Sequence, residues 1–359
     1  MKILDWYILK SFLTAFFFVV LIIVSIICII NLTEMNDKFI KHGLGAATIA
    51  KYYLYYTPYI ANLVSPIMVF IATVFVTSKM ASHTEIIAIL SSGVSFRRMM
   101  VPYIIGASML AVLTFLMVGW IIPNSNKFRI NFELQYLKNP YTFEGRNVHF
   151  KVAPDTYIYI QDYYSGENKG YRFTIEKIEN NKLKEKLKAD YITWVPEKNK
   201  WRVSDYQIHK FLGMEEEIIK GKAFDTTLNL YPKDFESTYS LQESLTLNEL
   251  STYIAEQRER GKGNLEIYII QRYTIFIYPV AIIILTLIGL IVSARKSRGG
   301  AGFQIALGFL IAFVYILFVV MSRSIALSGT TDFQIAMLVL LPNALFAAVG
   351  VILYHTVPR

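Results

Sequence analysis

The sequence has a single cysteine, and its long apolar runs contain no aspartate or glutamate. Because Cys28 has no partner within the chain, an internal disulfide framework is excluded. The chain also lacks the G-x-x-x-x-G-K-[ST] phosphate loop, so we expect that it does not hydrolyse ATP by itself. Proton- or sodium-coupled carriers usually need a carboxylate near the middle of the membrane, and its absence argues against an ion-driven carrier.

Catalytic and metal-binding patterns are also missing. The histidines do not have the spacing of a metal site, and we find neither a nucleophile elbow nor a paired-carboxylate motif. We therefore expect no metal, no cofactor and no catalytic residues. The sequence favours a protein that is not itself an enzyme.

Apolar residues make up 54% of the 359 residues and are concentrated in six runs. Each run has about 20 residues, which is the length a helix needs to cross the hydrocarbon core. We predict six transmembrane helices, and expect the first to remain as an anchor because it is longer than a signal peptide and is not followed by a cleavage site. The runs lie at 11–31, 53–78, 102–122, 267–293, 301–327 and 333–355.

The charge distribution predicts the orientation. Basic residues near the span ends are concentrated on one side, which the positive-inside rule assigns to the cytoplasm, and both termini fall on that side. Residues 123–266 contain equal numbers of acidic and basic side chains, so the net charge of +9 belongs to the membrane part and does not indicate nucleic-acid binding. The basic residues near the span ends on the predicted cytoplasmic side are Lys2, Lys10, Lys79, Arg97, Arg98, Arg295, Lys296, Arg298 and Arg359.

The chain divides into three predicted parts: helices 1–3 at 1–122, a large insert at 123–266, and helices 4–6 at 267–359. The insert contains alternating stretches such as TYIYIQ and KWRVSDYQIHKF, and PEKNK resembles a hairpin turn. We predict an all-β domain, either a sandwich or a curved, partly open jelly roll. Helices should flank it at 123–138 and 246–262, the second with a Thr246–Glu249 capping box and Gly261 as its stop.

The segment SHTEIIAILSSGVSFRRMM, between helices 2 and 3, is too short to span a membrane. Ile86, Ile89 and Leu90 fall at i, i+3 and i+4, which predicts a short helix at about 82–96 with one apolar stripe. Such a stripe requires a groove on a partner. The alternative is a helix that lies on the lipid surface, but Glu85 is unlike the lysines that such helices favour.

The flanking residues of this helix also have predicted roles. Gly93 can end the helix, and Ser95 can begin the next one. Arg97 and Arg98 should hold the following span at the cytoplasmic face.

Four basic residues lie at the opposite, outward end of the spans: Lys38, Lys41, Arg272 and Arg323. A cation that is partly within a bilayer is costly and tends to have a partner. One interpretation is that each side chain extends to the headgroup phosphates by itself. The other is a ring of cations that holds an anionic lipid headgroup.

Several stretches of the sequence resemble the lipopolysaccharide export permeases of the LptF/LptG family. The resemblance covers the whole chain. Its most specific stretch is SHTEIIAILSSGVSFRRMMVP, in which an acid, small residues and Gly-hydrophobic-Ser precede basic residues. Length and ending favour the LptG side. The stretches are LDWYILKSF, SHTEIIAILSSGVSFRRMMVP, GWIIPNSN, KNKWRVSD, LNLYPKDF and RKSRGGAGFQIALG.

The resemblance implies a transmembrane subunit of an ABC-type lipopolysaccharide extractor in the bacterial inner membrane. A second LptF/LptG-type permease and a dimeric cytoplasmic ATPase would be its partners, and a periplasmic jelly-roll bridge protein would receive the lipid. The first and fifth spans of the two permeases would form lateral gates. The short helix would dock into the ATPase through its apolar stripe, with Glu85 pairing a basic residue at the rim of the groove.

The resemblance also implies a lipid conduit in the sheet domain. Strand alternation turns either Ile158 or Tyr159 inward, and the candidate conduit residues are Tyr157, Ile158, Tyr159 and Ile160. One departure is Asn31, which occupies the position where some members carry a lysine in the first span.

Two other classes of protein remain as alternatives. A membrane-anchored sensor or envelope assembly factor would need a cytoplasmic signalling domain, and the loops on that side are too short for one. An integral-membrane lipid-modifying enzyme would need clustered acids or histidines near the span ends. Glu34, Asp37 and His42 form the only such group in a short loop, and their spacing indicates no mechanism.

Overall fold

A computed structural model describes residues 3–138, 146–164, 166–179, 182–212, 215–232, 240–259, 265–294 and 300–355. The chain forms two compact units. The first, a helical bundle, comprises Met1–Leu137, Ser240–Ser251 and Glu266–Arg359, and the second contains the sheet and comprises Lys138–Tyr239 and Thr252–Leu265. Of the residues singled out from the sequence, Lys2, Gly261, Arg295, Lys296, Arg298 and Arg359 lie outside the described residues.

Within the residues that the structure describes, six helices are long and apolar enough to cross a membrane, which confirms the predicted number of spans. They are Ile3–Lys41, Ala46–Ser82, Phe96–Leu137, Glu266–Ser293, Gly302–Ala326 and Asp332–His355. Two π-helical turns, Met117–Ile121 and Glu133–Leu137, occur within the third of them. The helices are α1 (Ile3–Lys41), α2 (Ala46–Ser82), α3 (Glu85–Ser91), α4 (Phe96–Leu116), α5 (Ile122–Phe132), α6 (Leu241–Ser244), α7 (Leu247–Glu259), α8 (Glu266–Ser293), α9 (Gly300–Ala326) and α10 (Asp332–His355).

The first two helices are much longer than a bilayer requires. α1 has 39 residues, which corresponds to about 58 Å at 1.5 Å per residue. Since the hydrocarbon core is about 30 Å thick, both α1 and α2 extend beyond it.

The bundle packs around α2 and α8, whose inward faces are rich in small and β-branched residues. Its core includes Val69, Phe70, Ile282 and Leu285, all of which are buried. α4 approaches α1 closely at Gly106, where a Cβ atom would lie only 2.8 Å from the Phe12 ring. The glycine therefore allows these two helices to pack with their backbones close together.

The second unit contains one six-stranded antiparallel sheet in which each strand pairs with its neighbours in the sequence. Hairpin connections explain this order, and Asn199 takes a left-handed conformation with φ 51° after the turn Pro196–Lys198. The strands are β1 (Arg146–Ala153), β2 (Thr156–Tyr164), β3 (Lys169–Glu179), β4 (Lys182–Val195), β5 (Lys200–Leu212) and β6 (Glu215–Thr226).

The all-β character of the insert is thus confirmed. Within the described residues the strands form a single sheet and not the two sheets of a sandwich. The apolar side chains of the sheet pack together with Leu230, which follows β6, and Ile158, Phe173, Ile192 and Trp201 are fully buried in this core. The Trp201 indole N–H donates to the Leu230 carbonyl oxygen at 2.7 Å, which satisfies the polar group of this ring inside the core.

The flanking helices also form. α7 begins after Thr246, and the reciprocal bonds of a capping box are present. The Thr246 backbone N–H donates to the Glu249 carboxylate at 2.9 Å, and the Glu249 N–H donates to the Thr246 hydroxyl at 3.4 Å. Glu249 also pairs with Lys127 at 2.8 Å, and this hydrogen bond is the main cause that lowers the pKa of the Glu249 carboxyl.

Candidate functional site

The segment between α2 and α4 folds as a two-turn helix with a sharp turn on each side. Thr84 has a positive φ of 62° directly before α3, and Gly93 has a φ of 86° after its end, where the left-handed region favours glycine. The Ser95 hydroxyl then caps α4 by accepting a hydrogen bond from the Arg98 backbone N–H at 3.4 Å. Gly93 and Ser95 therefore stand at the helix end and the helix start that the sequence indicates.

The apolar stripe of α3 faces the bundle of the chain itself. Ile86 is only 3% exposed and belongs to the bundle core, and Ile89 and Leu90 pack against that core. Ile86 therefore has almost no surface left to offer a partner, whereas Ile89 and Leu90 are half-buried, and for these two residues the groove on a partner stays a prediction. The outward face of α3 instead carries Ile87, which is 52% exposed, and the exposed Ala88.

Glu85 links α3 to the first helix. The Tyr7 hydroxyl donates to Glu85 Oε2 at 3.2 Å, and His83 Nδ1 lies 3.7 Å from Glu85 Oε1. The Glu85 side chain remains 34% exposed. Its carboxylate therefore serves a contact within the chain and is still accessible from outside.

The two arginines of this segment join three helices. Arg98 Nη2 lies 2.6 Å from Asp5 Oδ2, and the Asp5 side chain is only 8% exposed. Arg97 Nε donates to the Tyr354 hydroxyl at 2.8 Å. We call this end of the bundle, where Asp5, Glu85, Arg98 and Tyr354 lie, the α3 end. Because these bonds connect the start of α4 to α1 and α10, a displacement of this segment must move those helices or break the bonds.

Asp5 was not singled out from the sequence as a site residue. Its position in the first turn of α1 could have indicated favourable contact with the helix dipole. Its pairing with Arg98 depends on α1 and α4 lying side by side, which local sequence does not reveal.

At the opposite end of the bundle, Lys38 is engaged with the helix that leads out of the third span. Its ammonium donates to the carbonyl oxygen of Leu137, the last residue of a π-helical turn, at 2.7 Å. The end of such a turn leaves carbonyl groups without helical partners, so the lysine supplies one. Lys41, one turn further along α1, is exposed.

Arg272 and Arg323 both make contacts that hold α8 to its neighbours. Arg323 Nη2 donates to the Thr274 hydroxyl at 3.0 Å. Arg272 Nη2 lies 3.5 Å from Asp332 Oδ2 at the start of α10. Each of these cations thus has a partner within the chain, and these partners differ from the partner of Lys38.

Asn31 has a defined structural role. Its side-chain oxygen accepts a hydrogen bond from the Tyr53 hydroxyl at 3.0 Å, which joins α1 to α2. A lysine at this position would have no acceptor to offer the Tyr53 hydroxyl.

An ion cluster near the end of the bundle where Lys38 lies was not predicted from the sequence. Arg129, only 4% exposed, lies 2.9 Å from Glu133 and 2.7 Å from Glu243. Its guanidinium also donates to Asn126 and lies 4.0 Å from the centre of the Tyr59 ring. We call Arg129, Glu133 and Glu243 the charged clamp. Burial raises the pKa of the Glu243 carboxyl, and the neighbouring Arg129 opposes this shift.

The charged clamp joins α5, α6 and α2. Arg129 and Glu133 are spaced i, i+4 on one helix, a spacing that allows an ion pair and that was the available signal. Glu243 is more than 100 residues away in the sequence, so its participation is not evident without the fold. The clamp fixes α6, the short helix that precedes α7, against the bundle.

A family model described as lipopolysaccharide export system permease LptF/LptG matches residues 6–356. A comparison with curated protein sequences finds no match. The family match includes the sheet as well as all six long helices.

Proposed function

Because the chain belongs to the lipopolysaccharide export system permease LptF/LptG family, we propose that it is the transmembrane subunit of an ABC-type lipopolysaccharide extractor. In this proposal a dimeric ATPase in the cytoplasm supplies the energy. A second permease of the family completes the membrane part, and a periplasmic jelly-roll bridge protein receives the lipid. The LptG position in the pair is the one proposed for this chain.

The proposed orientation places the α3 end of the bundle in the cytoplasm. Lys10, Lys79, Arg97 and Arg98 lie at this end, as the positive-inside rule requires of a cytoplasmic face. The termini are then cytoplasmic, and the sheet is periplasmic.

The observation that carries the proposal is the attachment of α3. The helix is tied to α1 by the Tyr7–Glu85 bond, and the segment after it is tied to α1 by the Arg98–Asp5 pair. It still offers an exposed face with Ile87 at its centre. We propose that this face docks on the ATPase. Closure of the ATPase dimer then pulls on α1, to which α3 is bonded, and on α2 and α4, which precede and follow α3 in the chain.

The exposure of α1 and α9 supports the proposed pairing with a second permease. In the most apolar stretch of each helix, only 11% of the residues of α1 and 22% of those of α9 are buried, compared with 61% in α2. Large apolar side chains such as Phe18 and Leu21 of α1 are consequently exposed. Two such poorly covered helices are what a lateral gate between two permeases, open to lipid, would require.

We propose that the outward cations hold phosphate groups of lipopolysaccharide during loading. Lys41 is exposed and directly available, whereas Lys38, Arg272 and Arg323 would exchange their contacts within the chain for a phosphate. Such an exchange is reasonable for Arg323, since a charge-assisted bond to phosphate is stronger than its bond to a neutral hydroxyl.

In the sheet, the proposed conduit for acyl chains is the apolar face. Ile158 and Ile160 are fully buried on this face, and Tyr157 and Tyr159 lie on the other. Acyl chains can therefore reach Ile158 only if the core of the sheet unit opens. The edge of the sheet would pair with the bridge protein by strand addition.

The proposal is tested by purifying the tagged chain from its native membranes in mild detergent. Recovery of a stoichiometric ABC ATPase, a second permease and lipopolysaccharide is the expected result. Recovery of the chain without an ATPase would contradict the proposal and would favour a membrane-anchored sensor or assembly factor.

A further inference from the structure

A groove of about 510 Å³ lies between α1 and α2 at the α3 end of the bundle. Its polar lining includes Lys10, Lys79 and Glu85, and its apolar lining includes Phe18 and Phe75. Tyr7 and Glu85, whose hydrogen bond ties α3 to α1, form part of this lining. The groove therefore adjoins the proposed coupling contact, whereas Lys10, Lys79, Phe18 and Phe75 have no role in that coupling.

The lining of the groove changes from charged to apolar along both helices. On α1, Lys10, Thr14 and Phe18 follow one another at intervals of four residues and so lie on one face over about 12 Å. On α2, Lys79 and Phe75 have the same spacing in the opposite chain direction. Both ammonium groups thus lie at the α3 end, and both aromatic rings lie deeper along the helices.

The two lysines are available to a ligand. Both are exposed, and in the part of the chain that the structure describes neither ammonium group forms an ion pair or a hydrogen bond. Glu85 is the acidic residue in the groove and already accepts the Tyr7 hydroxyl. Two ammonium groups against one carboxylate leave the polar part of the groove with a net positive charge.

We propose that this groove binds an anionic glycerophospholipid from the leaflet at the α3 end. Its phosphate would lie between Lys10 and Lys79, and an acyl chain would lie along Phe18 and Phe75. A soluble anion would satisfy the lysines but leave the exposed rings uncovered, whereas a lipid matches both parts. The bound headgroup lies beside Glu85, so occupancy of the groove contacts the residue that links α3 to α1.

This site differs from the proposed lipopolysaccharide site in its end of the bundle and in its ligand, and it does not rest on the direction of transport. Binding is measured by native mass spectrometry of the full chain, purified and delipidated in detergent. The probes are dioleoylphosphatidylglycerol and the neutral dioleoylphosphatidylcholine. The test variant is K10Q/K79Q, and the matched control is K182Q/K184Q, which removes two exposed lysines from the sheet.

We expect phosphatidylglycerol to bind more tightly than phosphatidylcholine, and K10Q/K79Q to weaken its binding by about fivefold for each lysine removed. The control and the charge-preserving K10R/K79R should bind like the original chain. Equal binding in K10Q/K79Q and the control would overturn the proposal, as would a loss of binding in K10R/K79R.

A second measurement identifies the occupant in native membranes. A photo-crosslinker at Ser11, which lines the groove, should capture phospholipid. Capture of a protein subunit in place of lipid would overturn the proposal and assign the groove to a protein interface.

Discussion

Substitutions of the neighbouring α3 residues Ile86 and Ile87 should have different effects: one on the free energy of unfolding and the other on docking to the ATPase. Complete burial of an isoleucine side chain contributes about 1.5–3 kcal/mol. Ile87 is 52% exposed, so docking on a partner can bury about half of it further. Ile87→Ala should therefore cost about 0.8–1.6 kcal/mol of docking free energy, which is roughly four- to fifteenfold in Kd. Its effect on the free energy of unfolding should stay within about 0.5 kcal/mol.

Ile86→Ala is the matched control. Ile86 is 3% exposed within the bundle core, and removing its side chain should cost about 2–5 kcal/mol of stability through the cavity that it leaves. The Ile86→Ala protein that remains folded should still bind the ATPase with largely unchanged affinity.

The assay measures binding of the purified ATPase to immobilised permease in detergent, together with thermal unfolding of each variant. If Ile87→Ala binds the ATPase as tightly as the original chain, Ile87 is not a docking contact and the proposed docking face is wrong. If Ile86→Ala weakens docking without any loss of stability, Ile86 is the contact residue, which also contradicts the proposed face.

Four further predictions concern the other sites. Glu85→Lys should leave the complex in the membrane but reduce ATPase docking or ATP-driven lipid release, and normal values of both would exclude Glu85 from coupling. Reversing the charge of Lys38 or Arg323 should reduce copurifying lipopolysaccharide about tenfold or more, because a charge-assisted contact contributes about 1.5–3 kcal/mol; unchanged lipid in both variants would contradict the headgroup site. A photo-crosslinker at Ile158 should capture lipopolysaccharide during transport, and the conduit fails if it captures none while transport is active. Arg129→Met should lower the free energy of unfolding in detergent by about 3–5 kcal/mol because the buried Glu133 and the half-buried Glu243 lose their cationic partner, and a loss below about 1 kcal/mol would mean that the charged clamp contributes little.

The membrane helices and the sheet were predictable because their signals are local. A run of about 20 apolar residues has few alternatives to a membrane helix, and the alternation in TYIYIQ predicts a strand that the structure contains as β2. The capping box at Thr246 and Glu249 is likewise a short-range pattern, and both of its hydrogen bonds are present.

The partners of the charged residues were not predictable from local patterns. The spacing of Ile86, Ile89 and Leu90 correctly indicates one apolar stripe, but periodicity does not reveal whether the stripe faces the chain itself or another protein. Arg98 pairs with a residue 93 positions away, and Glu243 pairs with Arg129 at a separation of 114 positions. Contacts of this kind depend on which helices lie side by side, which only the fold supplies.

We propose above all that this chain transmits the work of a separate ATPase to lipopolysaccharide. The most direct test reconstitutes the purified complex in proteoliposomes with lipopolysaccharide and measures the release of the lipid to the purified bridge protein. We expect release that requires ATP and stops when the ATPase is inactivated by mutation. Release that proceeds equally without ATP, or steady hydrolysis without any release from a fully assembled complex, would contradict the account.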